Sequence, residues 1–275
     1  MATQEQLVEH QVQLEKLFNK NQLMPRLRSE FENCEEFDFK AYFEANGVPG
    51  KFGIDVLAQM ALRKRADFQT LVGCLRYHCK TAQEVADLII KCAELDVIDY
   101  SGQLEIFIVK MEVSSDVQAE LDRFQYPLPM VVEPRELTSN MSGGYLLTDS
   151  SVILKNNHHD DDVCLDHLNR MNKVKLQLNM DVATMIENSW SNLDKCKEGE
   201  TRKDYEKRVR AFKKYDETAR DVMAVLLHES DTFNLTHKYD KRGRTYCQGH
   251  HVTYQGNAWN KAIIEFADEE IVTTK

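Results

Sequence analysis

Near the end of the chain stands the sequence YDKRGRTY, residues 239–246, followed by QGNAWNK, residues 255–261. Asp240 and Arg244 lie four residues apart around Gly243. Glycine permits a backbone conformation, or a close approach, that a side chain would forbid. Arginine presents a planar fork of donors that suits phosphate oxygens, and Asp240 could hold that fork in place. This spacing predicts a tight turn whose arginine could bind the backbone of a nucleic acid.

A second cation accompanies the turn. Lys261 lies in a predicted helix, residues 258–267, and Arg242 and Tyr246 are further candidates for contact with nucleic acid. The simpler alternative is a surface turn with an ordinary Asp–Arg pair, because D-x-x-G-R is a short pattern. Two fixed cations beside a glycine turn are compatible with a grip on a nucleic-acid backbone, but the bare pattern by itself favours the surface turn.

The composition limits the class of protein. The chain has 275 residues, room for one large domain or two small ones, with 42% hydrophobic and 29% charged residues. Its net charge of −10 argues against a general binder of polyanions, so a nucleic-acid surface must be a local patch. Seven scattered cysteines without a signal peptide predict reduced thiols in a cytosol-like compartment. No apolar run approaches the roughly 20 residues of a membrane span.

The hydrophobic pattern predicts a mainly α-helical chain with small β elements, an α+β fold. Predicted helices cover residues 4–23 (ended by Pro25), 53–65, 66–78, 81–95, 117–124, 167–186 and 201–229. Alternating apolar residues around a turn at Ser101 and Gly102 predict a β-hairpin within residues 97–113.

One region of this acidic chain is basic. Residues 195–214 hold nine Lys or Arg against four acids. On the predicted helix, the side opposite the apolar residues carries a basic stripe, which consists of Lys203, Lys207, Arg210 and Lys214. A solvated helix face is the alternative, but the concentration of cations favours contact with phosphates.

Two groups of potential metal ligands are weak candidates. Cys74 and Cys79 flank His78, but no second pair stands at zinc-ligand spacing. Adjacent side chains rarely converge on one ion, so residues 158–162, HHDDD, predict a solvated acidic loop. We therefore expect no metal site in this chain.

Several motifs in fixed order resemble those of single-subunit RNA polymerases of the phage and mitochondrial type. They are the hairpin, P-x-V-V at 129–132, G-G-Y at 143–145, paired asparagines at 172 and 179, the basic helix, D-x-x-G-R and Q-G-N-x-x-x-K. In that family the arginine of D-x-x-G-R contacts nucleic acid beside the active site. The resemblance implies a helical N-terminal domain over residues 1–190, a thumb-like segment over 191–232 and the start of the palm over 233–275.

The resemblance also implies the function. The chain is similar to the small subunit of heterodimeric phage DNA-directed RNA polymerases, nucleotidyltransferases that transcribe middle genes. In the family, the aspartates that bind the two catalytic Mg²⁺ ions lie downstream of D-x-x-G-R. We therefore expect no catalytic residue here and Mg²⁺ bound by a larger catalytic subunit, against which apolar residues in 263–272 would pack.

The other implied partners are the DNA template and the RNA–DNA hybrid. An accessory protein that binds single-stranded DNA is a further candidate, and no membrane is expected. The expected location is the cytoplasm of an infected bacterial host. Alternatives are a non-enzymatic helical phage protein that binds a host or phage partner, and part of a one-chain polymerase. In the family the hairpin inserts at the upstream edge of the melted promoter, whereas the short arms here predict poor insertion or a structural role.

Overall fold

The computed structural model describes residues 3–18, 20–157 and 159–268. About half of the chain is helical and about a tenth lies in small sheets, which confirms the predicted mainly-α, α+β class. Contacts divide the chain into two compact units. The helical unit is Asn19–Gln125, and the motif unit is Met1–Phe18 together with Tyr126–Lys275.

The elements follow in chain order. The helices are α1 (Gln4–Phe18), α2 (Lys20–Glu32), α3 (Phe39–Ala45), α4 (Gly50–Arg63), α5 (Phe68–Leu75), α6 (Ala82–Glu94), α7 (Ser115–Phe124), α8 (Leu165–Asn172), α9 (Met180–Met185), α10 (Arg202–Glu229) and α11 (Ala258–Ala262). The strands are β1 (Arg65–Asp67), β2 (Ile98–Ser101), β3 (Ile106–Val109), β4 (Leu176–Leu178), β5 (His237–Tyr239), β6 (Thr245–Cys247) and β7 (Ile264–Phe266).

The helical unit is built around α4, whose residues from Phe52 to Leu62 are all buried. Phe43 of α3 lies against Gly53, where a Cβ atom would come within 2.3 Å of the phenyl ring. Glycine is required there for close packing. Helix α6 has its N-cap at Thr81, which forms a reciprocal capping box with Glu84.

The predicted hairpin in 97–113 is confirmed. Strands β2 and β3 pair antiparallel, and β1 extends them into a three-stranded sheet of order β1-β3-β2. The turn is longer than predicted and places Leu104 at an exposed tip instead of in a strand. Glu105 has a φ of +53°, which ends the turn so that Ile106 can pair with Ser101.

Two other sequence predictions are wrong in detail. Pro25 lies inside α2 and does not end a helix, because proline removes one hydrogen bond but keeps a helical φ. Residues 167–186 do not form one helix, since β4 separates α8 from α9. Leu176 and Leu178 alternate toward the interior and pair with β7, an interaction made by residues far along the chain.

Buried polar side chains join helix α1 to the rest of the motif unit. Gln11 accepts a hydrogen bond from the amide of Val131 at 2.9 Å. The Glu15 carboxylate accepts from the amides of Leu146 and Leu147, both at 2.7 Å. These bonds fix the P-x-V-V segment and the chain after G-G-Y, whose backbone amides would otherwise be unpaired.

The compact units do not follow the boundary predicted at residue 190. Residues 126–190 belong to the same compact unit as the later segments. Strand β4 pairs with β7, and Val131 of P-x-V-V is hydrogen-bonded to Gln11 of α1. The division into N-terminal domain, thumb and palm stays a prediction. Within the described ranges, no helix is both long and apolar enough to cross a membrane.

Candidate nucleic-acid interface

The D-x-x-G-R motif forms the loop of a β-hairpin. Strands β5 and β6 pair antiparallel, with Lys238 opposite Tyr246 and Tyr239 opposite Thr245. A turn is closed by the Gly243 amide, which donates to the Asp240 carbonyl at 3.0 Å. The Asp240 amide in turn donates to the Arg244 carbonyl at 3.0 Å. The motif therefore stands at the end of a short, fully hydrogen-bonded hairpin.

Gly243 serves the conformation of this loop. Its φ is +77°, in the left-handed region that side chains disfavour. A Cβ atom built on Gly243 meets no described atom within 4 Å, so the space around it is open. Of the two roles predicted for this glycine, the structure supports the backbone conformation and shows no close approach to a described residue.

The buried carboxylate of Asp240 organises the loop. Its Oδ1 accepts from the amides of Arg242 at 2.8 Å and Arg244 at 3.0 Å. Its Oδ2 accepts from Nε and Nη2 of Arg242 at 3.0 and 2.7 Å, and from the Tyr246 hydroxyl at 3.3 Å. Burial alone would raise the pKa of this carboxyl, but the hydrogen bonds from Arg244 and Arg242 outweigh it and hold the pKa well below its usual range.

The structure corrects the predicted partner of Asp240. The carboxylate was expected to hold the Arg244 guanidinium, but it binds that of Arg242 and meets Arg244 only at the backbone amide. Arg244 is exposed, and its guanidinium makes no hydrogen bond or ion pair with a described residue. The reason is the direction of the chain, since the turn at Gly243 lets Arg242 fold back while Arg244 leaves the loop.

Sequence reasoning missed one residue of this hairpin, Lys238. Side chains alternate along a strand, so Lys238 and Tyr246 lie on one face, opposite the buried His237 and Tyr239. Lys238 is half-buried, and within the described part of the chain its ammonium has no hydrogen bond or ion pair. Burial lowers its pKa. An anion bound beside Lys238 would offset that desolvation. The signal available in the sequence was the position of Lys238 two residues before Asp240, which places both residues on the same side of an extended strand.

The root of the hairpin is fixed by His237. Its Nδ1 lies 2.8 Å from Asn172 Oδ1, and its Nε2 lies 2.6 Å from the Tyr254 hydroxyl. A carbonyl oxygen only accepts, so Nδ1 donates to Asn172 and Nε2 accepts from Tyr254. Burial lowers the pKa of His237 to about 4, with a smaller contribution from the nearby His167. The ring is therefore neutral at physiological pH.

The Q-G-N segment is joined directly to the hairpin. Gln255 accepts from the Cys247 amide at 2.9 Å and donates to the Thr245 carbonyl at 3.1 Å. Asn257 then caps α11 through a reciprocal capping box with Asn260. Lys261 follows on this helix, exposed and without an ion pair to any described residue. The predicted helix 258–267 is shorter than expected, because α11 ends at Ala262 and β7 follows.

The basic helix is confirmed as α10, with its N-cap at Thr201. Its C-terminal half is buried on one side, whereas its N-terminal half is largely exposed. Arg208 is paired with Glu200 at 2.7 Å and does not belong to the basic stripe. The four residues of the stripe are exposed: Lys203, Lys207, Arg210 and Lys214.

The predicted site residues thus fall into three groups. Asp240, Arg242, Gly243, Arg244 and Tyr246 are brought together in one hairpin. Lys261 is connected to that hairpin through Gln255, and the basic stripe stands on α10.

In the described residues no three His, Cys, Asp or Glu side chains group as ligands of a metal ion. His158 lies outside the described residues, and His78 instead contacts Asp55, with Nε2 2.6 Å from Oδ2.

Comparison with known proteins gives one informative similarity. No protein-family model matches the chain. The chain is 23% identical over 196 residues to a probable DNA-directed RNA polymerase of Agaricus bitorquis. The match covers 62% of this chain and 18% of the relative, so this chain spans a small part of that protein's length. Over that stretch, the chain is similar to a DNA-directed RNA polymerase.

Proposed function

We propose that this chain is the small, non-catalytic subunit of a heterodimeric phage DNA-directed RNA polymerase. The similarity to a probable DNA-directed RNA polymerase supports the general role in transcription. The phage origin, the heterodimer and the transcription of middle genes rest on the order of the sequence motifs. In this proposal, DNA template and RNA–DNA hybrid lie against the motif unit.

The observation that carries the proposal is Arg244, which has no side-chain partner among the described residues and stands on a loop that Asp240 holds rigid. A guanidinium without an internal partner keeps all its donors for an external anion, and phosphate is the anion that its planar fork fits. Arg242 is neutralised by Asp240 and acts chiefly on the loop. Arg244 is therefore the primary contact with the nucleic-acid backbone, with Tyr246 and Lys261 as further contacts.

The basic stripe of α10 gives this proposal a second surface. Lys203, Lys207 and Arg210 are exposed and, among described residues, carry no counter-ion. Phosphate contacts by such residues supply affinity that does not depend on sequence and falls with salt. In the proposed polymerase, α10 acts as the thumb and lies along the RNA–DNA duplex.

The chemistry of nucleotidyl transfer requires a partner in this proposal. Two Mg²⁺ ions held by carboxylates activate the attacking hydroxyl and stabilise the leaving pyrophosphate. We assign those carboxylates to a larger subunit that completes the palm. Phe266 on β7 is 70% exposed and supports an apolar contact with that subunit. Ile263, also predicted to pack against the partner, is instead fully buried within the chain. Residues 269–272 of the predicted contact lie outside the described residues.

Co-expression with the product of the adjacent reading frame tests the proposal. The pair should extend an RNA primer on an RNA–DNA scaffold with ribonucleotides and Mg²⁺, and neither chain should do so alone. The same reactions in the presence and absence of a single-stranded-DNA-binding protein, on a duplex promoter, test for an accessory factor. A pair that never forms would favour the alternative, a helical phage protein that binds another partner.

A further inference from the structure

A cavity of about 450 Å³ lies in the motif unit between the N-terminal half of α10 and the loop that follows β6. Trp190, Phe212, Tyr215, His250, Asn257 and Asn260 are among its lining residues. None of them belongs to D-x-x-G-R. The volume falls within the range of pockets that hold small organic molecules.

The walls of this cavity are aromatic. Phe212 lies 6.1 Å from Trp190 and 6.4 Å from Tyr215, measured between ring centroids. His250 meets Tyr215 edge-on at 5.8 Å and stacks on Tyr126 at 3.7 Å. Trp190 keeps 46% of its surface exposed. A large indole face remains open to a flat ligand.

The polar atoms of the cavity fall into two sets. The Asn257 and Asn260 side chains are hydrogen-bonded within the chain, to each other's backbone amides and to other groups. The Trp190 Nε1–H and the His250 ring nitrogens make no hydrogen bond with a described residue. Burial and the adjacent His251 lower the pKa of His250 to about 4, so its neutral ring offers one donor and one acceptor. A ligand that combines a flat ring with polar edges fits this set.

A cation borders the cavity on the same helix. Lys207 lies one helical turn before the lining residue Ala211, on the same side of α10. Exposed cations next to aromatic faces are the combination by which proteins hold single-stranded nucleic acid, with the bases stacked and the phosphates paired.

We propose that this cavity receives an unpaired nucleobase of a single-stranded nucleic acid whose phosphates lie along the basic stripe of α10. The base stacks on Trp190, and the Trp190 and His250 ring nitrogens bond its edge. The inference rests on the proposed function, since it assumes that α10 contacts nucleic acid. It adds a base-binding site outside D-x-x-G-R. It also proposes that this site selects single-stranded over double-stranded nucleic acid.

Tryptophan fluorescence provides the test. The chain has two tryptophans, and Trp259 is buried with 3% exposure, so a surface ligand reports on Trp190. A short oligothymidylate should quench the emission, whereas a base-free strand of the same length should not. Trp190→Ala should weaken oligothymidylate binding by about 5- to 150-fold, as expected for loss of one stacked base. Binding of the base-free strand should stay unchanged.

Control variants separate the possible failures. Met185→Ala removes an 83% exposed apolar side chain outside the cavity and should bind like the wild type. Phe212→Leu keeps the apolar volume but removes a flat face, so it should also weaken oligothymidylate binding. It replaces Trp190→Ala as the test if Trp190→Ala proves unstable.

Unchanged oligothymidylate binding by folded Trp190→Ala and Phe212→Leu, or equal quenching by the base-free strand, would overturn the inference. Release of the larger subunit by Trp190→Ala with intact oligonucleotide binding would also overturn it, because the cavity would then dock protein. If Arg244→Ala and Lys207→Gln weaken binding while Trp190→Ala does not, only this inference fails. If none of the three changes binding, the proposed function fails.

Discussion

Acid should destabilise the fold through His237, the residue at the root of the D-x-x-G-R hairpin. Its pKa is about 4 in the folded chain, against an ordinary value of 6.5. Between these values the unfolded chain binds a proton that the folded chain does not, so stability is complete above the higher pKa and is lost as the pH falls toward the lower one. The loss amounts to about 2 kcal/mol by about pH 5 and about 3 kcal/mol by about pH 4.

The assay is urea unfolding followed by circular dichroism across this pH range. His237→Asn keeps a donor for Asn172 but loses the bond to Tyr254, which should cost about 1–3 kcal/mol at neutral pH. Because asparagine does not titrate, the variant should lose less stability in acid than the wild type. The difference in unfolding free energy between wild type and variant should therefore shrink by about 2 kcal/mol by about pH 5.

His228→Gln removes an exposed histidine and is the control for a general effect of acid. His250 has a lowered pKa as well, so the comparison between variants isolates the contribution of His237. A deficit of His237→Asn that is equal at neutral pH and in acid would refute the reasoning, since it would mean that the folded chain protonates His237 as readily as the unfolded chain.

Four further outcomes follow from the hairpin. Arg244→Ala should weaken binding of an RNA–DNA hybrid by roughly ten- to 150-fold, from loss of about 1.5–3 kcal/mol, and make it less dependent on salt. Arg242→Ala should weaken it less, because Arg242 is already paired, and an equal loss would contradict the assignment. Gly243→Ala should lower the free energy of unfolding by about 1–2 kcal/mol because of its positive φ, whereas Gly102→Ala, at an open turn position without one, is the matched control in chemical denaturation. Lys238→Met should raise the melting temperature by removing a half-buried unpaired cation and should weaken hybrid binding; a lower melting temperature would show that the ammonium is satisfied in the folded chain.

The sequence predicted those elements whose interactions are local. Apolar spacing predicted α6 and α10 to within one residue at each end. Asp240 and Gly243 predicted a tight turn, since both residue types favour turns through short-range hydrogen bonds and permissive backbone angles. Interactions of this kind join residues three or four apart, so they can be recognised in a single sequence.

Long-range pairing explains the wrong predictions. Residues 176–178 look helical in a longer apolar pattern, yet they form β4 because β7 and Phe233 supply backbone partners. The same pairing ends the helix that was predicted to continue to residue 267. Hydrophobic spacing cannot reveal a partner strand that lies almost ninety residues away.

The amino-acid sequence by itself determined which chemical groups are present at the hairpin and that a tight turn joins them. Only the tertiary structure decided which arginine pairs with Asp240, because Arg242 and Arg244 are chemically identical and differ in the direction in which the loop presents them. It also decided that Lys238 is half-buried, with no counter-ion in the described part of the chain. His237 is kept neutral by burial and bonded to Asn172, 65 residues away, so that state belongs to the packed fold and not to any local pattern.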